Sequence, residues 1–377
     1  MILHLVSDDK FADYAISQFE SAAPNQNKYV LLTAAFDYTI KYIEQAGKVE
    51  VVNIHKPHFE ELFKDLVNYK AIVMHNMNMW YVVEKFPPAI KVAWVVWGSE
   101  LYNRKEDVKG YVGSQTRSAY NKYLLQQFFK GILKRITSGK KYIRIFEIPD
   151  EVFKRVNYCL TDIYEECVLA QKVFKSEFSW IWYNYYNIED TLGNLKDRFV
   201  DWNNILLGNS SSMTNNHLET IRLLEKFDLG ERKLITPLSY GEGYYRKVIL
   251  KKGRRSFGDH FHPLIEYLDR EAYNKYVLSC NVTIMNHYRP QALGNIITAL
   301  WLGSKVYLSK RNIIFTYLTR LGIKISSVED DLIPGNPDAL NSPESSVVQH
   351  NREILYKEYG KDNVLIKVQK VVDLLSK

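Results

Sequence analysis

At 377 residues the chain is long enough for two or three domains, each with its own core. Apolar residues at 46% and charged residues at 25% exclude a disordered or fibrous chain and describe ordinary globular material. With 50 Lys+Arg against 43 Asp+Glu, the net charge of +7 suits phosphate-bearing ligands or an anionic membrane surface, and it is too small and scattered to argue for nucleic acid.

The N-terminal MILHLVSDDK has neither a charged leader nor a long apolar stretch, so it reads as a first strand and not as a signal peptide. Strands are predicted at Ile2–Val6, Tyr29–Thr33, Val49–Ile54, Ala71–His75 and Val92–Trp97. Phe11, Tyr14, Ala15 and Phe19 mark one helical face between them, and Phe59, Leu62, Phe63 and Leu66 mark another. Two more strand candidates are Tyr142–Phe146 and Val156–Leu160, and Phe178–Asn187 is densely aromatic. A second series begins with strand Asn204–Leu207, a helix over His217–Phe227 and strand Lys233–Pro237, followed by a polar region containing the KKGRR run at 251–255. Helix Leu264–Leu278, strand Val282–Met285, helix Gln291–Leu302 and strand Lys305–Ser309 come next, and a closing helix begins near Val364. Strands separated by helices imply parallel pairing, and hence two doubly wound α/β lobes facing a central cleft. The expected divisions are an N-terminal lobe over 1–185, a C-terminal lobe over 200–350 and a closing helical segment over 351–377, the first two being, by the family resemblance given below, the acceptor-side and nucleotide-sugar-binding lobes.

Open α/β sheets bind ligands beyond the carboxyl ends of their strands, which directs attention to the residues that follow each strand. After Val282–Met285 the loop carries Asn286, His287, Tyr288, Arg289 and Gln291, with Gly294 and Asn295 in the first turn of the next helix. A helix N-terminus with free N–H groups suits a diphosphate and Arg289 can add a charge-assisted contact, or the loop is simply polar. Gly208, Asn209, Ser210, Ser211 and Ser212 after Asn204–Leu207 form a second anion cradle or an Asn/Ser-rich turn; the GK[ST] of an ATPase loop is missing. Thr236–Glu242 ends a strand in a Gly-bearing turn, and Trp94–Tyr102 (WVVWGSELY) ends another with Ser99 and Glu100 at its edge. Glu100 is read as a base, as a partner for a sugar hydroxyl or as a structural cap. His75 ends strand Ala71–His75, either in the cleft or in the core.

Nine His residues without HExxH spacing, and the lack of Asp-x-Asp, predict no tightly held metal and no cofactor. Cys159, Cys167 and Cys280 show no CxxC spacing, which suggests buried thiols in a reducing compartment. No apolar run of about 18 residues predicts a membrane span. The stretch Asn121–Arg144 alternates Leu124, Leu125, Phe128, Phe129, Ile132 and Leu133 with Lys122, Lys130, Lys134, Arg135, Lys140 and Lys141. It is either an interfacial helix on a membrane or a core-facing helix with a basic edge. The expected location is cytoplasmic, peripheral on the inner face of the cell membrane.

The ordered set of His75, WVVWGSELY (94–102), LLGNSSSMTNNH (206–217), TPLSYGE (236–242), HPLIEYLDREAYNKYVLSCNV (262–282) and YRPQALGNIITALWLG (288–303) resembles the bacterial Fuc4NAc transferase family, also called 4-alpha-L-fucosyltransferases, glycosyltransferase family 56. The resemblance implies a two-lobe GT-B architecture and transfer of a deoxy-amino sugar from a dTDP- or UDP-linked donor to an undecaprenyl-diphosphate-linked saccharide. It would place Asn209, Ser210, Ser239, Tyr240, Glu266, Arg289, Gln291, Gly294 and Asn295 around the donor, with Glu100 and His75 facing from the acceptor lobe. The family often carries Asp at Glu100, Gly-Asp-like residues at Ser211 and Ser212, and Gln at Pro290; these departures bear on the donor sugar more than on the reaction. A nucleotide-sugar hydrolase or epimerase, and a non-catalytic nucleotide-sugar-binding subunit of a polysaccharide-assembly complex, are the competing readings.

Overall fold

The computed structural model describes residues 1–102, 108–123, 125 and 148–377. They form two compact units. The first comprises the described residues of Met1–Leu101, Glu147–Asp190 and Glu358–Lys377, the second those of Tyr102–Phe146 and Thr191–Lys357.

The first unit is a seven-stranded parallel sheet ordered β3-β2-β1-β4-β5-β6-β7. Its strands are β1 (Ile2–Leu5), β2 (Asn27–Thr33), β3 (Val49–Asn53), β4 (Ala71–Met74), β5 (Lys91–Val95), β6 (Tyr158–Leu160) and β7 (Ser179–Ile181). Central strands β1 and β4 are buried along their whole length, as a sheet covered on both faces requires. Helix α1 (Phe11–Ala22) follows β1, α2 (Pro57–Lys64) follows β3 and α3 (Tyr164–Phe174) follows β6. On one face Ala15 and Phe19 of α1 share a core with Val73 and with Val364, Val368, Val371, Val372 and Leu375 near the chain's end.

The second unit is a six-stranded parallel sheet ordered β10-β9-β8-β11-β12-β13. Its strands are β8 (Asn204–Leu207), β9 (Leu234–Pro237), β10 (Phe261–Leu264), β11 (Cys280–Met285), β12 (Lys305–Leu308) and β13 (Ser326–Ser327). Helices α4 (His217–Leu224), α5 (Gly243–Phe257), α6 (Arg270–Leu278), α7 (Leu293–Leu302), α8 (Ile313–Arg320) and α9 (Ser345–Tyr359) belong to it, while α10 (Lys361–Ser376) returns to the first unit. Ile205, Leu207, Val282, Ile284 and Tyr307 form its core with Ile221 of α4 and Tyr245 and Ile249 of α5.

Two expectations are corrected. The helix expected over Leu264–Leu278 is divided into strand β10 and helix α6, because residues 261–264 pair with β9 and Asp269 caps the helix by accepting the Ala272 N–H. The polar stretch holding KKGRR lies inside helix α5, anchored by Tyr245, Ile249 and Gly253. The aromatic stretch Phe178–Asn187 contains β7. The expected strand Tyr142–Phe146 lies outside the described residues, as does the stretch 121–144 apart from residues 121–123 and 125. All three cysteines are buried free thiols, and no helix among the described residues is long and apolar enough to cross a membrane.

Candidate active site

Strands β8 and β11 are neighbours at the centre of the second sheet, so the loops leaving their carboxyl ends meet there. The chain turns sharply after β8 at Gly208, whose φ is 66°; a Cβ there would stand 2.7 Å from both Asn215 Oδ1 and His217 Nε2. Asn215 is fully buried and uses its whole amide. Its Oδ1 accepts the Asn209 N–H at 2.9 Å and lies 2.9 Å from His287 Nε2, while its Nδ2 donates to Ser210 Oγ and to the Ser212 carbonyl, each at 3.2 Å. An amide oxygen only accepts, so His287 carries its proton on Nε2. Asn216, left-handed at φ 51°, donates to the Asn286 carbonyl at 2.9 Å and accepts the Gly113 N–H at 2.8 Å.

The β9 loop is joined to the same structure. Tyr240 offers its carbonyl to Ser211 N–H and Oγ–H at 2.8 and 2.7 Å, and its hydroxyl accepts Asn209 Nδ2–H at 2.8 Å. Gln291 spans the cradle, accepting Thr214 Oγ1–H at 2.6 Å and donating to Asn209 Oδ1 at 3.3 Å. Asn209, Ser210, Tyr240 and Gln291 are therefore brought together by direct contacts. Ser239 is half-buried beside Tyr240, and Gly294 and Asn295 are half-buried in the first turn of α7. That helix starts at Leu293, after a left-handed Ala292 at φ 58° that offers it no side-chain cap. The Arg289 guanidinium lies 5.7 Å from the centre of the Tyr102 ring, and Nη1 donates to the Pro290 carbonyl at 3.4 Å. Glu266 stands apart: it is exposed just beyond β10 and hydrogen-bonds none of these groups among the described residues.

Electrostatics follow burial. The His217 ring is pushed down to about 3 by desolvation, and His287 well below the usual histidine range by desolvation and by the Arg289 charge, so both rings are neutral. Burial raises the Glu242 carboxyl, opposed by the Met213 N–H that it accepts at 3.2 Å and by the Arg289 charge. Among the described residues no three His, Cys, Asp or Glu side chains converge as a metal-holding group.

At the carboxyl edge of the first sheet His75 and Glu100 are both buried. His75 belongs to a polar chain. Trp97 Nε1–H donates to the Tyr185 hydroxyl at 3.1 Å, which lies 2.9 Å from His75 Nδ1; His75 Nε2 is 3.0 Å from His4 Nδ1, and His4 Nε2 is 3.2 Å from Asn27 Oδ1. Because Asn27 Oδ1 only accepts, His4 holds its proton on Nε2, His75 does the same, and Tyr185 donates to His75 Nδ1. Desolvation keeps both rings neutral, His4 at about 3. Glu100 accepts the Met77 N–H at 3.1 Å and the Ser99 hydroxyl at 3.2 Å, and burial raises its carboxyl above the ordinary glutamate range.

Asn215, Asn216, His217 and Tyr185 lie in segments that the sequence marked as polar or aromatic, but nothing in their spacing signals that these polar groups are buried.

Residues 183–342, which hold the whole of this second cradle, match the family model of the 4-alpha-L-fucosyltransferases, glycosyl transferase group 56. The chain is a glycosyltransferase. Its fold is GT-B, as solved structures with little sequence similarity show. An Anabaena protein, HepE, in complex with UDP and glucose, matches with a TM-score of 0.62 at 12% identity, covering 100% of this chain and 99% of its own. Sucrose-phosphate synthase from Thermosynechococcus elongatus matches at 0.59 and 13% identity, covering 99% and 98%. WaaG, a glycosyltransferase of lipopolysaccharide biosynthesis, matches at 0.53 and 11%, covering 100% of both chains. The resemblance read from the ordered motifs thus holds for this glycosyltransferase over the stretch that builds the Asn209–Gln291 network.

Proposed function

We propose that this glycosyltransferase moves a deoxy-amino sugar or a related sugar from a dTDP- or UDP-linked donor to a hydroxyl of an undecaprenyl-diphosphate-linked saccharide in surface polysaccharide assembly. The observation that carries the donor assignment is the hydrogen-bonded knot of Asn209, Tyr240 and Gln291, which joins the loops after β8, β9 and β11 within the family-matched stretch. In this reading the donor's diphosphate lies at the N-terminus of α7, against the N–H groups of Leu293, Gly294 and Asn295, with Arg289 as its counter-charge. Asn209, Ser210, Ser239 and Tyr240 border the sugar nucleotide, and Glu266 reaches it from beyond β10. The complex of HepE with UDP and glucose supports a nucleotide-sugar donor, and the role of WaaG in lipopolysaccharide biosynthesis is in keeping with a surface-glycan product.

On the acceptor side Glu100 orients or deprotonates a sugar hydroxyl, and His75 acts through Tyr185, since both of its ring nitrogens are engaged. Stabilisation of the departing diphosphate by Arg289 and backbone N–H groups takes the place of a bound metal. The first unit takes the acceptor role and the second the donor role. The basic stretch 121–144 holds the enzyme peripherally on the inner face of the membrane, where a lipid-linked acceptor is found.

A thermal-shift series with dTDP, UDP and GDP tests the donor site, because a ligand that binds only the folded state raises its melting point. One of the first two is expected to stabilise the protein; no shift with any of the three would sink the assignment. Consumption of the matching nucleotide sugar only when a polyprenyl-diphosphate saccharide is added separates transfer from hydrolysis and epimerisation.

A further inference from the structure

Helix α5 carries Arg246, Lys247, Lys251, Lys252, Arg254 and Arg255 within its 15 residues and has no Asp or Glu. With about 3.6 residues per turn, Lys247, Lys251, Arg254 and Arg255 fall within an arc of about 100°, opposite the buried Tyr245, Ile249 and Gly253. All four are exposed, and none of them joins an ion pair among the described residues. Lys252 lies off this stripe and pairs with Glu225, which also accepts the Ser256 hydroxyl. The stripe is thus about 12 Å long and cationic throughout.

Solvation alone does not account for such a face. Exposed cations on a helix gain from a carboxylate one turn away, as Lys275 does from Glu271 on α6. Lys247 with Lys251, and Lys251 with Arg255, are like charges at that spacing and weaken the helix instead. A negatively charged surface laid against the stripe reverses the sign of this effect.

The surroundings extend the same face. Arg222 of α4 and Lys226 beyond its end are exposed beside it. Gln115, Leu218, Arg222, Glu225, Val248 and Lys252 border a depression of about 390 Å³ with a partly apolar floor. The helical residues 114–123, which lead into the basic stretch 121–144, pack on the same two helices. Thr116 donates its N–H to Glu219 of α4 at 2.9 Å, its hydroxyl is 3.0 Å from that of Tyr245, and the Tyr123 ring lies 5.8 Å from Tyr244.

We propose that the Lys247–Lys251–Arg254–Arg255 face of α5 is a docking surface for an anionic lipid bilayer, separate in sequence from 121–144; the inference rests on the peripheral-membrane reading above. Anionic headgroups attract exposed cations over about a Debye length and demand no fixed geometry from them, which suits four long, unpaired side chains. Nucleic acid fits less well, because the stripe carries no aromatic side chain on which a base could stack.

Flotation of the full chain with phosphatidylglycerol vesicles tests the surface. The variant combining Lys247→Gln, Lys251→Gln, Arg254→Gln and Arg255→Gln should bind about 10²- to 10³-fold more weakly, near fivefold for each cation removed. Its melting point, and the shift produced by the donor diphosphate, should match wild type. An environment-sensitive fluorophore on Lys251→Cys reads contact directly, since the three native cysteines are buried. Its emission should move to the blue on phosphatidylglycerol vesicles and stay unchanged on phosphatidylcholine. Wild-type flotation of the four-site variant, whether or not it loses RNA binding, overturns the proposal, as does a label blind to saturating vesicles. Wild-type protein that fails to float would remove the peripheral-membrane reading itself, and this surface with it.

Discussion

Gly241 lies against Ser211 so closely that a Cβ added to it would stand 2.7 Å from the Ser211 carbonyl carbon. Its φ of 107° is also one that other residues rarely adopt. Backbone cannot yield as a flexible side chain does, so Gly241→Ala must part the β8 and β9 loops where Tyr240 holds Asn209. The substitution should cost about 2–4 kcal/mol in urea unfolding. It should also reduce the thermal shift produced by the donor diphosphate. Unchanged stability and an unchanged shift would show that the two loops are not rigidly coupled.

In the proposed donor site Arg289 is the counter-charge to the diphosphate at the start of α7. Arg289→Ala is expected to weaken binding of the matching nucleotide diphosphate by roughly 1.5–3 kcal/mol, the worth of a hydrogen bond to a charged group. Isothermal titration measures it directly. Binding within a factor of two of wild type would remove Arg289 from the donor site.

His217 gives a pH test. It is fully buried next to Tyr245, with no hydrogen-bond partner for either ring nitrogen among the described residues. Its folded pKa of about 3 lies below the unfolded value of 6.5, so it binds a proton more readily in the unfolded chain. Its contribution is therefore complete above pH 6.5 and drains away as the pH falls towards 3. His217→Met keeps the volume without the titration. The stability difference between wild type and variant should shift against the wild type by up to about 1.4 kcal/mol per pH unit on acidification through that window. Parallel stability curves from pH 7 to pH 4 would mean that the ring is reached by water.

Exchange of Lys134 and Arg135 for Glu should lower association with anionic phosphatidylglycerol vesicles by about 2–4 kcal/mol, at roughly 1 kcal/mol for each cation near the surface. Vesicle flotation reads the change, and neutral phosphatidylcholine vesicles are the control. Association that persists would favour a core-facing helix at 121–144.

Much of the fold was legible because buried parallel strands are short, continuous apolar runs. Asn204–Leu207 and Lys305–Leu308 stand out for that reason, and the helix stripe Ile296, Ile297, Leu300 and Trp301 follows from the 3.6-residue period. Edge strands and basic helices were not legible. Strand β10 contains the half-buried His262 and Pro263, tolerated because β10 is the sheet's edge, and it has no apolar alternation to notice. Helix α5 hides its register because Gly253, one of its three buried residues, has no side chain; Phe261 fills the space, where a Cβ would meet the ring at 2.5 Å. The cradle was found from a rule about strand ends, which placed Asn209, Tyr240 and Gln291 correctly on adjoining loops. Glu266, which came from the family resemblance and not from that rule, is exposed and apart from the network. The buried keystone Asn215 was invisible as such, since composition treats asparagine as surface and only the tertiary contacts show all four of its hydrogen bonds satisfied.

Helix α10 closes the core of the first unit with Val364, Val368, Val371, Val372 and Leu375, set against Ala15 and Phe19 from the other end of the chain. The first unit is therefore completed by residues that are synthesised only after the whole second sheet. Until then α1 carries an uncovered apolar seam, while the strands of the second sheet are already all available. The nascent chain consequently presents an apolar half-lobe until α10 has emerged. A stop codon or a bulky fusion near residue 360 would injure the N-terminal lobe first and leave the Asn209–Gln291 network to fold.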